Sequence, residues 1–327
     1  MKRSDATWAI SDGRAGNARQ AEALAEALAA ALAPAAATPI QPRLLQPHMP
    51  WRWLAPRWLP GAQHAYGATF AEALRQPPRL AVGCGRQAAL ATRLLRARGS
   101  QVVQILDPRL DPRHWDVVVV PAHDRLRGSN VLTLLGSLHP IDDAWLAAGR
   151  AAFPMLGALP SPRVGLLVGG PSGLAPWSEA QAHAAFAAIA AQLRTHGGSI
   201  LASASRRTPP AVAAALRRAF ADVPGVVWCG ADDGTNPYAG LLGWAERLAC
   251  TPDSVNLLSE ACATRVPVQV LMPEAARGRA LDFHRALQAR GRLLPVDNAG
   301  DAPATGIEPL RETARVAALI REHLALA

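Results

Sequence analysis

Residues 250–271 read CTPDSVNLLSEACATRVPVQVL. The run is punctuated as a strand end, a tight turn, a helix, a second turn and a second strand. Thr251 and Pro252 suit an N-cap and first-turn pair, with Asp253 and Ser254 near the positive end of the helix dipole. Residues seven apart return to nearly the same helix face, so Asp253, Asn256 and Glu260 form a polar stripe opposite Val255, Leu258 and Cys262. A carboxylate within the helix and free N–H groups at its start suit a sugar phosphate, with hydroxyls on Glu260 and phosphate at the helix N-terminus. An ordinary solvated helix face fits the same pattern.

Outward from this stretch the strand–turn–helix unit recurs. Strand 164–168 ends in Gly169-Gly170-Pro171-Ser172-Gly173, and helix 178–196 follows. Strand 199–202 leads into a basic loop at 203–208 carrying Arg206 and Arg207, then a helix at 209–221. Strand 226–228 leads into a loop at 230–238 holding Asn236. Open α/β sheets gather their ligands at strand carboxyl ends. Gly169, Gly170, Ser172, Arg206, Arg207, Asn236, Asp253, Ser254 and Glu260 are therefore expected to cradle a nucleotide diphosphate and its ribose.

The first half repeats the scheme. Strand 7–11 opens into Asp12-Gly13-Arg14-Ala15-Gly16-Asn17 and a helix at 18–33, with a second strand at 40–45. A strand at 80–83 leads through Cys84-Gly85-Arg86 into helix 87–98 and strand 101–106. WDVVVV (115–120) has the unbroken β-branched character of a central parallel strand. It empties into Pro121-Ala122-His123-Asp124 and a polar loop reaching Asn130. Asp12, His123 and Asp124 are candidate general bases for an acceptor hydroxyl. Gly13, Gly16, Asn17, Arg86 and Asn130 are expected on the acceptor side. Tight glycine turns and a capping Asp fit these residues equally, and no dinucleotide or P-loop spacing is present.

Residues 151–162 (AAFPMLGALPSP) carry three prolines, one glycine and no charge, the composition of a linker. The chain of 327 residues exceeds the usual single-domain size. The expectation is an α/β protein of two facing Rossmann-like domains, 1–152 and 163–300, with a cleft between them as the ligand site. A C-terminal helix within 301–327 is expected to pack back across the domains.

Residues 47–67 read PHMPWRWLAPRWLPGAQHAYG, in which prolines at 47, 50, 56 and 60 forbid a long helix. Trp51, Trp53 and Trp58, interleaved with Arg52 and Arg57, suit a patch touching lipid headgroups or an acceptor. A loop burying its tryptophans is the other reading. The net charge of +9 points to anionic partners, but no basic block or nucleic-acid motif accompanies it, so no nucleic acid is expected. Cys84, Cys229, Cys250 and Cys262 lack zinc spacing and read as buried thiols in a reducing compartment, with no metal site expected. Asp5 and Asp12 interrupt any signal-like start, and no run of 18 apolar residues occurs. The expected location is cytoplasmic, with peripheral contact at the inner face of the membrane.

Nine stretches together resemble the mitochondrial-fission "elongated mitochondria" family: residues 8–20 (WAISDGRAGNARQ), 82–87, 103–109, 116–124, 130–139, 166–173 (LLVGGPSG), 203–209 (SASRRTP), 233–242 (DGTNPYAGLL) and 251–268. That family is similar to the two-domain GT-B-type nucleotide-sugar glycosyltransferases, including the bacterial enzyme that adds N-acetylglucosamine to lipid-linked peptidoglycan precursors. The resemblance implies the fold, and with it a metal-independent glycosyltransferase that needs no cofactor beyond its nucleotide-sugar substrate. It also implies the alternative of a non-catalytic adaptor that recruits a partner to a membrane surface.

Overall fold

The structure is a computed structural model and describes residues 4–32, 40–294 and 306–325. The chain forms two compact units, Met1–Pro140 with Arg311–Ala327, and Ile141–Leu310. The expected domain end at 300 lies outside the described residues.

In the first unit the strands are β1 (Ser4–Ser11), β2 (Ile40–Leu44), β3 (Pro78–Cys84), β4 (Gln101–Ile105), β5 (Val117–Pro121) and β6 (Val131–Leu134). They pair in parallel in the order β2-β1-β3-β4-β5-β6. The helices are α1 (Ala15–Leu32), α2 (Trp51–Leu54), α3 (Ala68–Ala73) and α4 (Arg86–Arg96). The β-branched run of β5 is buried on both faces, as parallel sheets require. Val117 and Val119 join a core with Leu24 and Leu28 of α1, while Val118 and Val120 join another with Leu90 and Leu94 of α4.

In the second unit α5 (Asp143–Ala152) precedes the strands β7 (Arg163–Val168), β8 (Ser199–Ala204), β9 (Gly225–Trp228), β10 (Arg247–Cys250) and β11 (Val268–Val270). These also run parallel, in the order β11-β10-β7-β8-β9. Its other helices are α6 (Glu179–His196), α7 (Pro210–Ala219), α8 (Tyr238–Trp244), α9 (Val255–Cys262) and α10 (Arg279–Ala289). The strand order reverses between β1 and β3 in one sheet and between β7 and β10 in the other. Those are the topological switch points where such sheets bind ligands.

Both expected boundaries move. The final helix, α11 (Glu312–Leu324), belongs to the first unit, where Val316 and Ile320 are buried with α1 and β5. The Thr313 hydroxyl also donates to the carbonyl of His139 at 2.7 Å. The expected linker is an ordered part of the second unit, because the Phe153 carbonyl accepts from Trp244 Nε1 at 3.0 Å and the Gly157 carbonyl from Arg163 at 3.1 Å. Helix α5 stays with that unit through close packing on α8. A Cβ at Gly149 would strike the carbonyl of Ala239, and one at Gly243 would lie 2.8 Å from the Leu146 carbonyl.

Gly149→Ala tests this contact. Alanine favours the helix over glycine by about 1 kcal/mol, but its Cβ has no room against backbone. A net loss of roughly 1–3 kcal/mol is expected, read as a lower urea midpoint; an unchanged or raised midpoint would show that α5 is not held there.

Candidate functional site

At the β7/β10 switch point the two strands end in Gly169-Gly170 and Thr251-Pro252-Asp253. The Thr251 hydroxyl accepts from the Gly169 N–H at 2.8 Å and donates to Asp253 Oδ1 at 2.7 Å. Asp253 Oδ1 also accepts from Trp177 Nε1 at 3.1 Å, and Oδ2 accepts from the Gly170 N–H at 3.0 Å and from Arg207 at 2.8 Å. The carboxylate is 0% exposed. A Cβ on Gly169 would collide with it, and one on Gly170 would collide with the Arg207 carbonyl. Thr208 closes the third side by donating to the Gly169 carbonyl at 2.6 Å.

Several residues expected to face a ligand are hydrogen-bonded to one another in this structure. Asp253, Arg207 and the Gly170 N–H are engaged with one another and brace the rim, the Asp253 carboxylate fully buried and the Arg207 side chain half exposed. Asp253 precedes the helix, so its side chain reaches across to the neighbouring strand's loop. Helix α9 starts at Val255, and its cap is Ser254, whose Oγ accepts from the Leu257 N–H at 3.3 Å, rather than Thr251. Glu260 is buried and accepts from the hydroxyl of Tyr238, so α9 is no solvated helix. Ser172 accepts from the Ala175 N–H at 3.2 Å and pins the glycine loop. Asn236 is exposed and accepts from the Tyr238 N–H at 3.0 Å. Arg206 is exposed, with no partner among the described residues.

Sequence reasoning missed Trp177, Thr208 and Tyr238 as parts of this rim. Thr208 and Tyr238 sat in loops already singled out for other residues, whereas Trp177 lies between the glycine turn and the helix that follows it, and only folding brings it in. His284 of α10 is a further neighbour. Its ring is buried and hydrogen-bonded to the Pro252 carbonyl, and burial pushes its pKa down although Asp253 pulls the other way.

In the first unit the β1/β3 switch point joins the loops after Ser11 and Cys84. Asp12 Oδ1 accepts from Asn17 Nδ2 at 3.0 Å and from the Arg14 N–H at 3.1 Å, while the Asp12 carbonyl accepts from Gln46 at 3.0 Å. Gly13 sits at φ +87°, which favours glycine, and Gly16 lies in the first turn of α1. Asn17 packs so closely on Gly85 that a Cβ there would lie 2.6 Å from Nδ2. His123 and Asp124 follow β5, two strands from β3 and thus roughly 10 Å along the sheet. Their turn is closed by Arg127, which donates to the carbonyls of Ala122 at 3.0 Å and Asp124 at 2.6 Å.

Two expected acceptor-side residues have other work. Asn130 donates to the carbonyls of Pro112 and Trp115, both at 2.9 Å, and fastens its loop. Arg86 donates to the carbonyls of Trp53 at 3.1 Å and Ala55 at 3.0 Å in the tryptophan segment. A groove of about 680 Å³ lined by Gln63, His64, Glu72, Arg75 and Arg98 lies beyond the C-terminal end of α4, at the rim away from the strand carboxyl ends. Among the described residues, no cluster of three or more His, Cys, Asp or Glu side chains could hold a metal ion, and no helix is long and apolar enough to cross a membrane. Cys84, Cys250 and Cys262 are buried free thiols and Cys229 is half-buried.

The family described as mitochondrial fission ELM1 matches residues 15–324. The chain belongs to that family. The mitochondrial fission protein ELM1 of Arabidopsis thaliana is 30% identical over 277 residues, a match covering 76% of this chain and 64% of the plant protein. The chain thus spans somewhat under two thirds of that relative. Solved structures of similar fold include the UDP-GlcNAc 2-epimerase of Neisseria meningitidis bound to UDP-GlcNAc, with TM-score 0.51, 13% identity and coverage of 98% of this chain and 100% of that one. The UDP-GlcNAc 2-epimerase of Methanocaldococcus jannaschii gives TM-score 0.52 at 13% identity, covering 98% and 100%. A further UDP-N-acetylglucosamine 2-epimerase gives 0.54 at 13% identity, covering 100% and 98%. At such identities the likeness concerns the fold: α/β, with two parallel Rossmann-type sheets of the GT-B-like class.

Two predictions follow from the second-unit rim. Asp253→Ala leaves buried donors without an acceptor and should cost about 3–5 kcal/mol of stability. Arg207→Ala removes a half-exposed partner and should cost ~1 kcal/mol or less. Equal losses in urea titrations would contradict the bracing role. Burial lowers the His284 pKa in the fold, so as pH falls through about 6.5 the unfolded chain takes up its proton before the folded chain does. Stability therefore falls as pH drops, by at most about 1.4 kcal/mol per pH unit from this group. His284→Gln should flatten that slope when unfolding is measured from pH of about 7 down to about 5.

Proposed function

We propose that this chain is a transferase acting on a nucleotide-diphosphate sugar, with the donor on the second unit and the acceptor on the first. The observation that carries the reading is the β7/β10 rim. There a buried carboxylate fixes a glycine loop beside the start of α9, and Arg206 stands exposed beside the same rim. The N-terminus of α9 and Arg206 supply positive charge for a diphosphate. The structural likeness to an epimerase holding UDP-GlcNAc supports a nucleotide-sugar ligand.

In the proposed reaction an acceptor hydroxyl attacks the anomeric carbon, and the bond from that carbon to the diphosphate oxygen breaks. Positive charge at the rim stabilises the departing diphosphate without a metal or further cofactor. Asp12, His123 and Asp124 remain the proposed bases for the hydroxyl proton. Glu260, shared with Tyr238, is proposed to turn toward the ribose hydroxyls. The acceptor is proposed to be membrane- or envelope-linked, with the chain at the cytoplasmic face.

A second reading, a non-catalytic adaptor on the same fold, is favoured by one observation: Glu260 is already occupied by Tyr238. Calorimetry with uridine, guanosine and cytidine diphosphates separates the two. Transfer predicts binding by one of them, weakened about tenfold or more by Arg206→Ala and also weakened by Glu260→Ala. Absence of binding by every nucleotide would sink the transferase and leave the adaptor. Binding followed by epimerised or hydrolysed sugar would redirect the chemistry.

A further inference from the structure

Between Glu26 and Glu72 the chain has no acidic residue. This stretch also holds five of the large hydrophobic side chains that the described residues leave exposed: Leu44, Met49, Trp53, Trp58 and Leu59, with Trp53 at 73%. Arg52 and Arg57 are exposed among them. An apolar strip of this kind on a folded unit marks a contact surface.

The strip is built, not frayed. Prolines at 47, 50, 56 and 60 remove backbone donors and confine α-helix in the segment to the single turn of α2. Local backbone N–H groups meet some of the segment's carbonyls, and two arginines seven residues apart on α4, hence on one helix face, meet others. Arg86 donates to the carbonyls of Arg52 at 3.3 Å, Trp53 at 3.1 Å and Ala55 at 3.0 Å, and Arg93 donates to that of Pro56 at 2.6 Å. Trp51 turns inward against the core and over Gly61, anchoring the loop. Of the three tryptophans, then, one holds the segment down while Trp53 and Trp58 are held out.

We infer that this face is a docking surface for an anionic lipid bilayer, carried by Leu44, Met49, Trp53, Trp58 and Leu59 with Arg52 and Arg57. Indoles favour the headgroup zone and guanidinium groups pair with lipid phosphates. A second copy of the chain is the poorer occupant, because a two-fold contact would set arginines against arginines and the segment itself carries no acid to pair them. The strip also begins at the β1/β3 switch point. Leu44 lies against Gly13, and Gln46 donates to the Asp12 carbonyl at 3.0 Å. A molecule anchored in the bilayer would meet the Asp12 loop at the edge of the docked face. The inference holds whether or not the chain transfers a sugar.

Sedimentation with vesicles tests it, using phosphatidylcholine alone and equal parts phosphatidylcholine and phosphatidylserine. Wild type should sediment with the anionic vesicles, less so as salt rises, and far less with the neutral ones. Arg52→Gln with Arg57→Gln should weaken partition about thirty-fold, and Trp53→Ala with Trp58→Ala on the order of tenfold or more. Both pairs are surface changes, and unchanged thermal midpoints would show that the variants fold. Failure of wild type to bind either vesicle, or unchanged partition of the variants, would overturn the inference. So would a dimer in gel filtration that the tryptophan pair dissociates while vesicle binding is absent. Nucleotide calorimetry on the same samples reads the donor site separately, so either proposal can fail alone.

Discussion

A carboxylate with no exposed surface, Asp253, collects donors from three separate strand-end loops, and the rim at the carboxyl ends of the second unit's strands is built on that arrangement. Burying an ion is costly unless it is fully paired. Here the pairing comes from a backbone N–H, an indole, a hydroxyl and a guanidinium, each from a residue that must therefore occupy one position. The two glycines at 169 and 170 are consequences of the same constraint, since a Cβ at either position would fall on the carboxylate or on the neighbouring backbone. Placing His284 beneath Pro252 extends the polar layer one helix further and makes it sensitive to acid.

The first unit solves a different problem with the same tools. A segment rich in proline lacks the donors to satisfy all of its own carbonyls, and Arg86 and Arg93 supply several from α4. The outcome is a rigid loop whose indoles need not be buried for the fold to hold. In the core beneath, Trp115 Nε1 donates to Thr92 at 2.8 Å, and Thr92 donates to Gln104 at 3.2 Å, so the buried polar groups of β4 and α4 close on one another. Arginine thus serves in both units as a donor to backbone as often as a partner for acids. The high arginine content therefore does not translate simply into free positive surface.

The alternating strands and helices were legible because a parallel strand buried on both faces must be apolar throughout, as WDVVVV shows, and because glycine turns stand at strand ends. The short elements were not. Helix α8 carries Gly240 and Gly243, which read as loop signals; they are glycines because α5 and its following turn lie against them, with Phe153 and Leu146 in contact distance. The linker-like run at 151–162 was misleading for the same reason, its Gly157 and Phe153 carbonyl lying against Trp244. In the candidate site, the sequence located the glycine loop, the basic loop and the helix after Cys250, although it set the helix cap at Thr251 where the structure has Ser254. Whether their polar atoms face outward or one another was not readable, because that depends on which strands are neighbours.

By itself the sequence determined the fold class, the family and the loops that meet at the strand ends, since hydrophobic period and turn residues are local properties of the chain. Tertiary structure alone decided that Asp253 and Arg207 brace each other, that Glu260 is taken by Tyr238, that Arg86 holds a loop and that one tryptophan of three points inward. The physical reason is the same in each case. A polar side chain spends its hydrogen bonds on whatever folding brings within about 3 Å, and those partners come from residues far away in the chain.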